Sequence, residues 1–284
     1  MLQQDELPHR TELAVVSEAS LDPGRNGSVR ASGPRQLSAS MAQLGVRVSV
    51  VIAALNEADN LPYVFSRLPD GLHEVILVDG HSVDDTVAVA RRLRPDVRIL
   101  TQSGRGKGRA MAEGFDACAG EIIVALDADG STDPAEIPRF VAALCNGADF
   151  VKGSRFAQGG SSMDITRARS LGNRALGGVV NALYGTRYTD LCYGYNAFWA
   201  RCLPYLRVDC DGFEVETLMN VRIAKAGLVV HEVPSYEQVR LNGESNLHTI
   251  RDGSRVLRTI VREWLTSASR KSLLPDIAYR WLGS

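Results

Sequence analysis

EIIVALDADGSTDP, residues 121–134, is the stretch that decides the fold. Ile122 to Leu126 form an unbroken apolar run, the pattern of a strand covered on both faces rather than on one. The run stops at two acids, Asp127 and Asp129, on either side of Ala128, and Gly130 marks a turn. Pro134 then stands where a proline can open a helix, PAEIPRFVAALC at 134–145. A doubly covered strand, a polar turn and a helix together make the repeating unit of a parallel sheet.

The same unit recurs on both sides. Towards the N-terminus, VRVSVVIAAL (46–55) predicts a buried strand, with a helix carrying Leu61, Val64, Phe65 and Leu68. EVILVD (74–79) predicts a second strand and VDDTVAVARRL (83–93) a second helix. VRILTQ (97–102) is a third strand. KGRAMAEGFDACA (107–119) is a third helix, with Gly120 as its C-terminal stop. Towards the C-terminus, DFVKGSR (149–155) is a fifth strand. Beyond Asp164 the alternation weakens: a helix at 167–185, a strand over CYGYNAFWA (192–200), a helix at 213–227, a short strand over LVVHEVP (228–234) and a helix at 249–265. The fold class is therefore α/β, a mostly parallel sheet flanked by helices, with a C-terminal α/β half packed on the sheet. Ligands of such sheets bind beyond the carboxyl ends of the strands. The loops after Leu55, Val78, Gln102, Leu126 and Val151 are thus expected to open onto one site.

Residues 1–45, rich in Gly, Ser, Pro and Arg, read as a disordered N-terminal extension. The folded domain is expected over 46–270, divided into 46–156 and 157–270, with 271–284 as a tail. A net charge of −1 argues against a bulk field for nucleic acid. Cys118, Cys145, Cys192, Cys202 and Cys210 are scattered, which disfavours a zinc site or a disulfide framework. No run approaches the ~18 apolar residues of a membrane span, and MLQQDELPHR lacks the basic and apolar segments of a signal peptide. The expected location is the cytoplasm, with a peripheral position on the inner face of the cell membrane as one reading.

Chemistry concentrates where the strands end. Two carboxylates one residue apart repel unless a hard divalent cation, which also binds diphosphate oxygens, lies between them; Asp-x-Asp-Gly is also ordinary turn chemistry. Asp79 closes the second strand, where an acid can accept hydrogen bonds from a base or a ribose. Asp84 and Asp85 suit the start of a helix. Asn56 and Glu57 either face the base or begin the first helix. In GRGKGRA (104–110), Gly104, Gly106 and Gly108 allow close backbone approach, and Arg105, Lys107 and Arg109 supply charge, which suits a phosphate contact. No Ser or Thr follows Lys107, so this is not a Walker loop. It follows the third strand and lacks the third Gly, so it is not a dinucleotide fingerprint.

AALNEA (53–58), VDGHSVDDT (78–86), GRGKGRAMAEGF (104–115), LDADGSTDP (126–134) and KGSRF (152–156) occur in this order. Together they resemble family 2 glycosyltransferases of the GT-A fold, most of all the polyprenyl-phosphate (dolichyl-phosphate) hexosyltransferase branch, over about Val46 to Leu265. Asp190 with GYNAF (194–198) resembles that branch's donor-sugar segment. RLNGESNL (240–247) resembles its Arg-x-x-Gly-Glu-Ser-Lys-Leu segment, with Asn246 in place of the lysine. Ser131 stands where some members carry a glutamine beside the metal.

The resemblance implies an inverting, metal-dependent transfer of a hexose from a nucleotide-diphosphate sugar to polyprenyl phosphate, with Mg²⁺ or Mn²⁺ as cofactor. It places Ala54, Asn56, Glu57, Asp79, Gly106, Lys107, Asp127, Ala128 and Asp190 on the nucleotide-sugar side. Asp127, Asp129 and His248 are the expected metal ligands. Arg155, Arg169, Arg240 and Ser245 are expected at the acceptor, and Asp129, Arg155 and Glu216 in catalysis. A phosphate acceptor is already ionised near neutral pH, with a second pKa of about 6. A sugar hydroxyl would need a base, for which Asp211, Glu214 and Glu216 compete with a plain role at an acidic helix N-terminus.

The acceptor's lipid calls for a membrane surface. Val256, Leu257, Ile260, Val261, Trp264 and Leu265, with Arg255, Arg258 and Arg262 nearby, form a basic amphipathic helix that either lies on lipid or packs on the core. Two other enzymes compete: a same-fold glycosyltransferase acting on a hydroxyl of a soluble acceptor, and a sugar nucleotidyltransferase. The second is disfavoured because the loop after the first strand has no Gly and carries acids. A non-catalytic binding protein is a third rival, disfavoured by the intact acidic pair.

Overall fold

The computed structural model describes residues 45–243 and 247–268. The expected N-terminal extension to residue 44 and the tail from 271 lie outside them. So do Glu244, Ser245 and Asn246.

The strand–helix alternation is present in the predicted order. It runs β1 Val48–Ala54, α1 Leu61–Ser66, β2 Glu74–Asp79, α2 Thr86–Leu93, β3 Arg98–Thr101, α3 Lys107–Asp116, β4 Ile122–Asp127, α4 Ile137–Cys145 and β5 Phe150–Ser154. A two-residue strand β6, Ser161–Ser162, leads to α5 Arg167–Tyr184, β7 Asn196–Trp199, α6 Leu203–Leu206 and α7 Val215–Lys225. Then come β8 Val230–Pro234, a second two-residue strand β9 Tyr236–Glu237, and α8 Thr249–Ala268. The chain is α/β, as its sequence pattern requires.

Seven strands form one sheet in the order β3-β2-β1-β4-β7-β5-β8. β1 lies between β2 and β4, parallel to both, with Ala54 opposite Asp79 and Ala53 opposite Asp127. That register brings the two acids to one edge. Alternate residues of β1 feed opposite layers: Val48, Val50 and Ile52 pack with α1, α2 and α4, whereas Val51 packs with α3, α5, α7 and α8. Each such side chain contributes roughly 1.5–3 kcal/mol by leaving water.

The C-terminal half does more than pack on the sheet, because β7 inserts between β4 and β5, antiparallel to both. With both faces covered, an apolar run reads the same in either direction. Residues 192–195 of the predicted strand stay irregular. β6 and β9 pair with each other and are too short for a period to show.

Helix ends follow local chemistry. Thr166 accepts a hydrogen bond from the Arg169 N–H at the start of α5, and Gly185, with φ +68°, ends it. Gly120 does not stop α3, which ends at Asp116 with Ala117 as its cap. A Cβ at position 120 would lie 2.5 Å from Ser49 Oγ and 2.8 Å from the Arg47 carbonyl, so that glycine serves packing beside β1. Gly114 lets α3 approach the sheet, since a Cβ there would sit 2.4 Å from Val51 Cγ1. The five cysteines are unpaired. Among the described residues no helix is long and apolar enough to cross a membrane.

α7 and α8 are joined through the buried Glu263, which takes Arg222 at 2.8 Å and Lys225 at 2.7 Å. Burial alone would raise this carboxyl, but the two cations hold it down to about 2. A depressed folded-state value adds stability that is complete above the unfolded value near 4.5 and is lost as pH falls towards 2. Urea midpoints measured between those two pH values are expected to drop less steeply in Glu263→Gln, which starts from a lower plateau.

Candidate active site

The acids at the ends of β2 and β4 and the loops beside them gather at the carboxyl edge of the sheet. Asp127 ends β4, and its carboxylate lies 2.6 Å from Lys107 Nζ. Lys107 opens α3 and also meets Glu216 of α7 at 2.7 Å. Burial disfavours the Lys107 charge, but the two carboxylates outweigh it and raise the ammonium above its ordinary value. Burial raises Glu216, with Asp127 adding to the rise and Lys107 opposing it. Gly194 makes room for this group, since a Cβ there would stand 2.7 Å from Lys107 Nζ and 2.8 Å from Asp127 Oδ2.

Asp129 is held separately. Its Oδ1 accepts the Ser131 N–H at 3.0 Å, and its Oδ2 lies 3.0 Å from Arg240 Nη2. Arg240 reaches on to Glu57 at 3.2 Å. The irregular segment after β9 that carries it is stitched over the acidic turn: Gln238 N–H donates to the Ser131 carbonyl and Leu241 N–H to that of Asp129. The two acids of the pair thus each hold a different cationic side chain. Both keep an open side, at 26% exposure for the Asp127 side chain and 16% for that of Asp129.

On the β1–β2 side, Asp79 is buried and accepts the Ser82 N–H at 3.2 Å. Asn56 adopts φ +57°, a conformation asparagine tolerates, and its Oδ1 takes the Val83 N–H at 2.8 Å. It therefore ties the loop after β1 to the loop after β2. Glu57 is buried and bonded to Asn60, and burial raises its carboxyl. Asp84 accepts the Ala58 and Thr86 N–H groups, so it serves the start of α2. Ala54 and Ala128 are buried at the strand ends.

Several expectations are corrected by these contacts. The glycines at 106 and 108 approach the protein's own chain: a Cβ would lie 2.1 Å from the Asp211 carbonyl oxygen or 2.2 Å from that of Cys210. Gly108 N–H donates to the Asp211 carbonyl at 2.9 Å. The loop is glycine-rich so that it can seat α3, and Lys107 with it, against the segment before α7. Gly108→Ala is expected to destabilise the protein by about 1–3 kcal/mol through overpacking. A lowered urea midpoint would show this, together with weaker donor binding as Lys107 shifts.

Arg155 is no open clamp. Its side chain is 9% exposed and lies 2.7 Å from Asp190 and 3.0 Å from Glu237, with Tyr193 beneath it at 4.8 Å. Burial opposes its charge, and the two acids more than offset that. Asp190, fully buried, is held below the ordinary carboxylate range by Arg155 against the upward push of burial. It also accepts from Asn173 at 2.9 Å, so it is an internal anchor rather than a sugar contact.

Glu216 faces Lys107 and is covered, which leaves it poorly placed as a general base. His248 is exposed, and its N–H donates to Asp252 at 2.7 Å. Among the described residues no three His, Cys, Asp or Glu side chains converge as a metal cluster, so His248 is not placed as a third ligand. Arg169 donates to the Leu247 carbonyl at 3.3 Å, beside the undescribed 244–246. Ser245 falls inside that gap. Gly194 and Glu237 went unnoticed in the sequence; GYNAF carried the first, but no local signal marks the second.

A match to the family described as Glycosyl transferase family 2 spans residues 49–202, more than half of the chain. The chain belongs to this family. It therefore has glycosyltransferase activity, and the family span runs from the second residue of β1 through β7 and contains both acids of the pair. It is 32% identical to glycosyltransferase AglJ of Haloferax volcanii, over 83% of this chain and 82% of that protein. It is also 32% identical to the undecaprenyl-phosphate mannosyltransferase of Micrococcus luteus, over 71% of this chain and 88% of that one. Relatives of the latter kind place it in the polyprenyl-phosphate branch. The fold is shared with glucosyl-3-phosphoglycerate synthase of Mycobacterium tuberculosis, solved with Mn²⁺, UDP and glucosyl-3-phosphoglycerate. That likeness has a TM-score of 0.65 at 24% identity and covers 88% of each chain. This is the GT-A architecture expected from the ordered motifs.

Proposed function

We propose that this glycosyltransferase moves a hexose, with inversion, from a nucleotide-diphosphate sugar to a polyprenyl phosphate, using Mg²⁺ or Mn²⁺. The observation that carries the reading is the pair Asp127 and Asp129 at the carboxyl edge of β4, each with an open side. The similarity to an undecaprenyl-phosphate mannosyltransferase supports the acceptor class.

The residues fit a hard cation. Both candidate ligands are carboxylates, and oxygen donors suit Mg²⁺ and Mn²⁺. Lys107 and Arg240 already mark where positive charge is needed. Asp127 and Asp129 would hold the ion, which supplies charge to stabilise the leaving diphosphate.

The chain's own groups do the rest. Glu216 fixes Lys107 from behind, so the ammonium stays beside Asp127 instead of sweeping through solvent. Asp79 offers an acceptor at the end of β2 for a base or ribose donor, and Asn56 holds the adjoining loops in place. Arg240 spans Glu57 and Asp129, and its segment covers the acidic turn and limits water there. A phosphate monoester arrives ionised, so it needs no base, in keeping with a Glu216 that is engaged by Lys107.

Incubation with radiolabelled nucleotide-sugar and polyprenyl phosphate tests the proposal. Label is expected in the organic phase, with a chelator abolishing it. Label confined to the aqueous phase would assign a soluble acceptor. Undiminished transfer in chelator would remove the metal.

A further inference from the structure

Gln102 carries a buried polar group that neither the fold nor the chemistry above uses. It follows β3 directly and is 3% exposed. Its main chain is fixed on both sides. Its own N–H donates to the Asp79 carbonyl at 3.0 Å, and the next N–H, that of Ser103, donates to the Glu113 carboxylate. The side chain is another matter. Among the described residues, Gln102 Oε1 is buried without a hydrogen-bond partner. A buried polar atom left unbonded costs roughly 1–3 kcal/mol, and a leucine would fill the same space without that cost.

The amide stands at a corner of the candidate site. Thr101 lies opposite Asp79 in the β2–β3 register, so Gln102 comes beside Gly80. Leu100 packs in the layer that holds α3, and alternation along the strand turns Gln102 to the same side. A Cβ on Gly80 would lie 3.6 Å from Gln102 Nε2, 3.2 Å from the Ala54 carbonyl oxygen and 3.3 Å from Leu55 Cβ. The ends of β1, β2 and β3 therefore meet at this amide. Asp79 has acceptor capacity left, since its two oxygens take one N–H, that of Ser82, at 3.2 and 3.4 Å. Leu55, which is exposed, adds apolar surface at the same corner.

We propose that Gln102 acts with Asp79 to read the lactam edge of a nucleobase, the ring N–H beside a ring carbonyl that uracil and guanine share. Asp79 accepts the ring N–H. The Gln102 amide, with a donor and an acceptor at its tip, pairs with the group next to it. Adenine and cytosine present a bare ring nitrogen at the matching position, and its lone pair is repelled by a carboxylate. A site with buried hydrogen-bonding groups rejects a ligand that leaves them unpaired. The inference rests on the nucleotide-sugar reading of the site and adds to it a residue that selects the base.

Calorimetric titration of nucleoside diphosphates in Mn²⁺, with inorganic pyrophosphate as the base-free probe, tests it. Wild-type protein is expected to bind UDP or GDP about tenfold or more tightly than CDP or ADP, and the tighter of the two identifies the base. Gln102→Leu is expected to weaken that ligand by about 3–10-fold, the equivalent of one hydrogen bond. Pyrophosphate, CDP and ADP should bind the variant as they bind the wild type. The melting temperature should not fall, because Oε1 has no partner to lose. A glutamine that served only the fold would lower the melting temperature and weaken pyrophosphate together with the nucleotides. That result would overturn the inference. So would equal binding of all four nucleotides, or the wild-type preference kept in Gln102→Leu, and both would leave the donor site standing. Pyrophosphate binding to which no nucleoside adds would remove the nucleotide reading as well.

Discussion

Asp129→Ala is expected to lower turnover by about 10²–10³-fold, equivalent to roughly 3–4 kcal/mol of transition-state stabilisation. The substitution removes one of the two proposed cation ligands and also releases Arg240, which lies 3.0 Å from the carboxylate. It removes the acceptor of the Ser131 N–H as well. Two losses are thereby mixed, and Asp129→Asn separates them. Asparagine keeps a carbonyl oxygen for Ser131 but lacks the charge that draws a divalent ion. Calorimetric titration of nucleotide-sugar with and without Mn²⁺ is the direct measurement. Wild-type protein should bind the donor more tightly with metal, and both variants should lose that difference. If Asp129→Asn turns over normally and keeps metal-dependent binding, the proposed role of the pair is wrong.

The second large effect is on stability. Arg155→Met is expected to cost about 3–5 kcal/mol, because it takes from a buried carboxylate the cation that is hydrogen-bonded to it. Asp190 has no exposure to water and would keep only Asn173 and the Arg155 backbone N–H as donors. Glu237 would lose the same partner. Out of a total stability of about 5–15 kcal/mol, such a loss is readily seen in a urea midpoint. Adding Asp190→Asn to Arg155→Met should restore part of it, since the stranded charge is then gone. An arginine that served as a surface clamp for a phosphate would behave differently: stability would hold and acceptor KM would rise. The measurement therefore decides between the two roles for this residue.

Much of the architecture is legible without coordinates. The strands ending at Ala54, Asp79 and Asp127 follow from doubly apolar runs before polar turns, and those ending at Thr101 and Ser154 from their place in the strand–helix alternation. The site's acids stand out because they interrupt those runs at the same point in each repeat. Long-range pairing is another matter. Arg240 lies 111 residues from Asp129, and Glu216 is equally remote from Lys107 in local terms; no period or turn signal connects them. The glycines of 104–108 illustrate a subtler limit. Their sequence says that something approaches closely, but only the fold shows that it is the backbone at Cys210 and Asp211.

Local chemistry by itself determined the strand–helix order, the family and the acidic pair, because periodicity, turn residues and an ordered set of motifs are properties of neighbouring residues. Tertiary structure alone decided that β7 runs against its neighbours, that Arg155 is spent on Asp190 and Glu237, and that α8 has one apolar side in the core and another in solvent. The reason is that a charge or an apolar face has no partner until distant segments meet. Which partner it takes depends on distance and burial, and neither is encoded within any single stretch of chain.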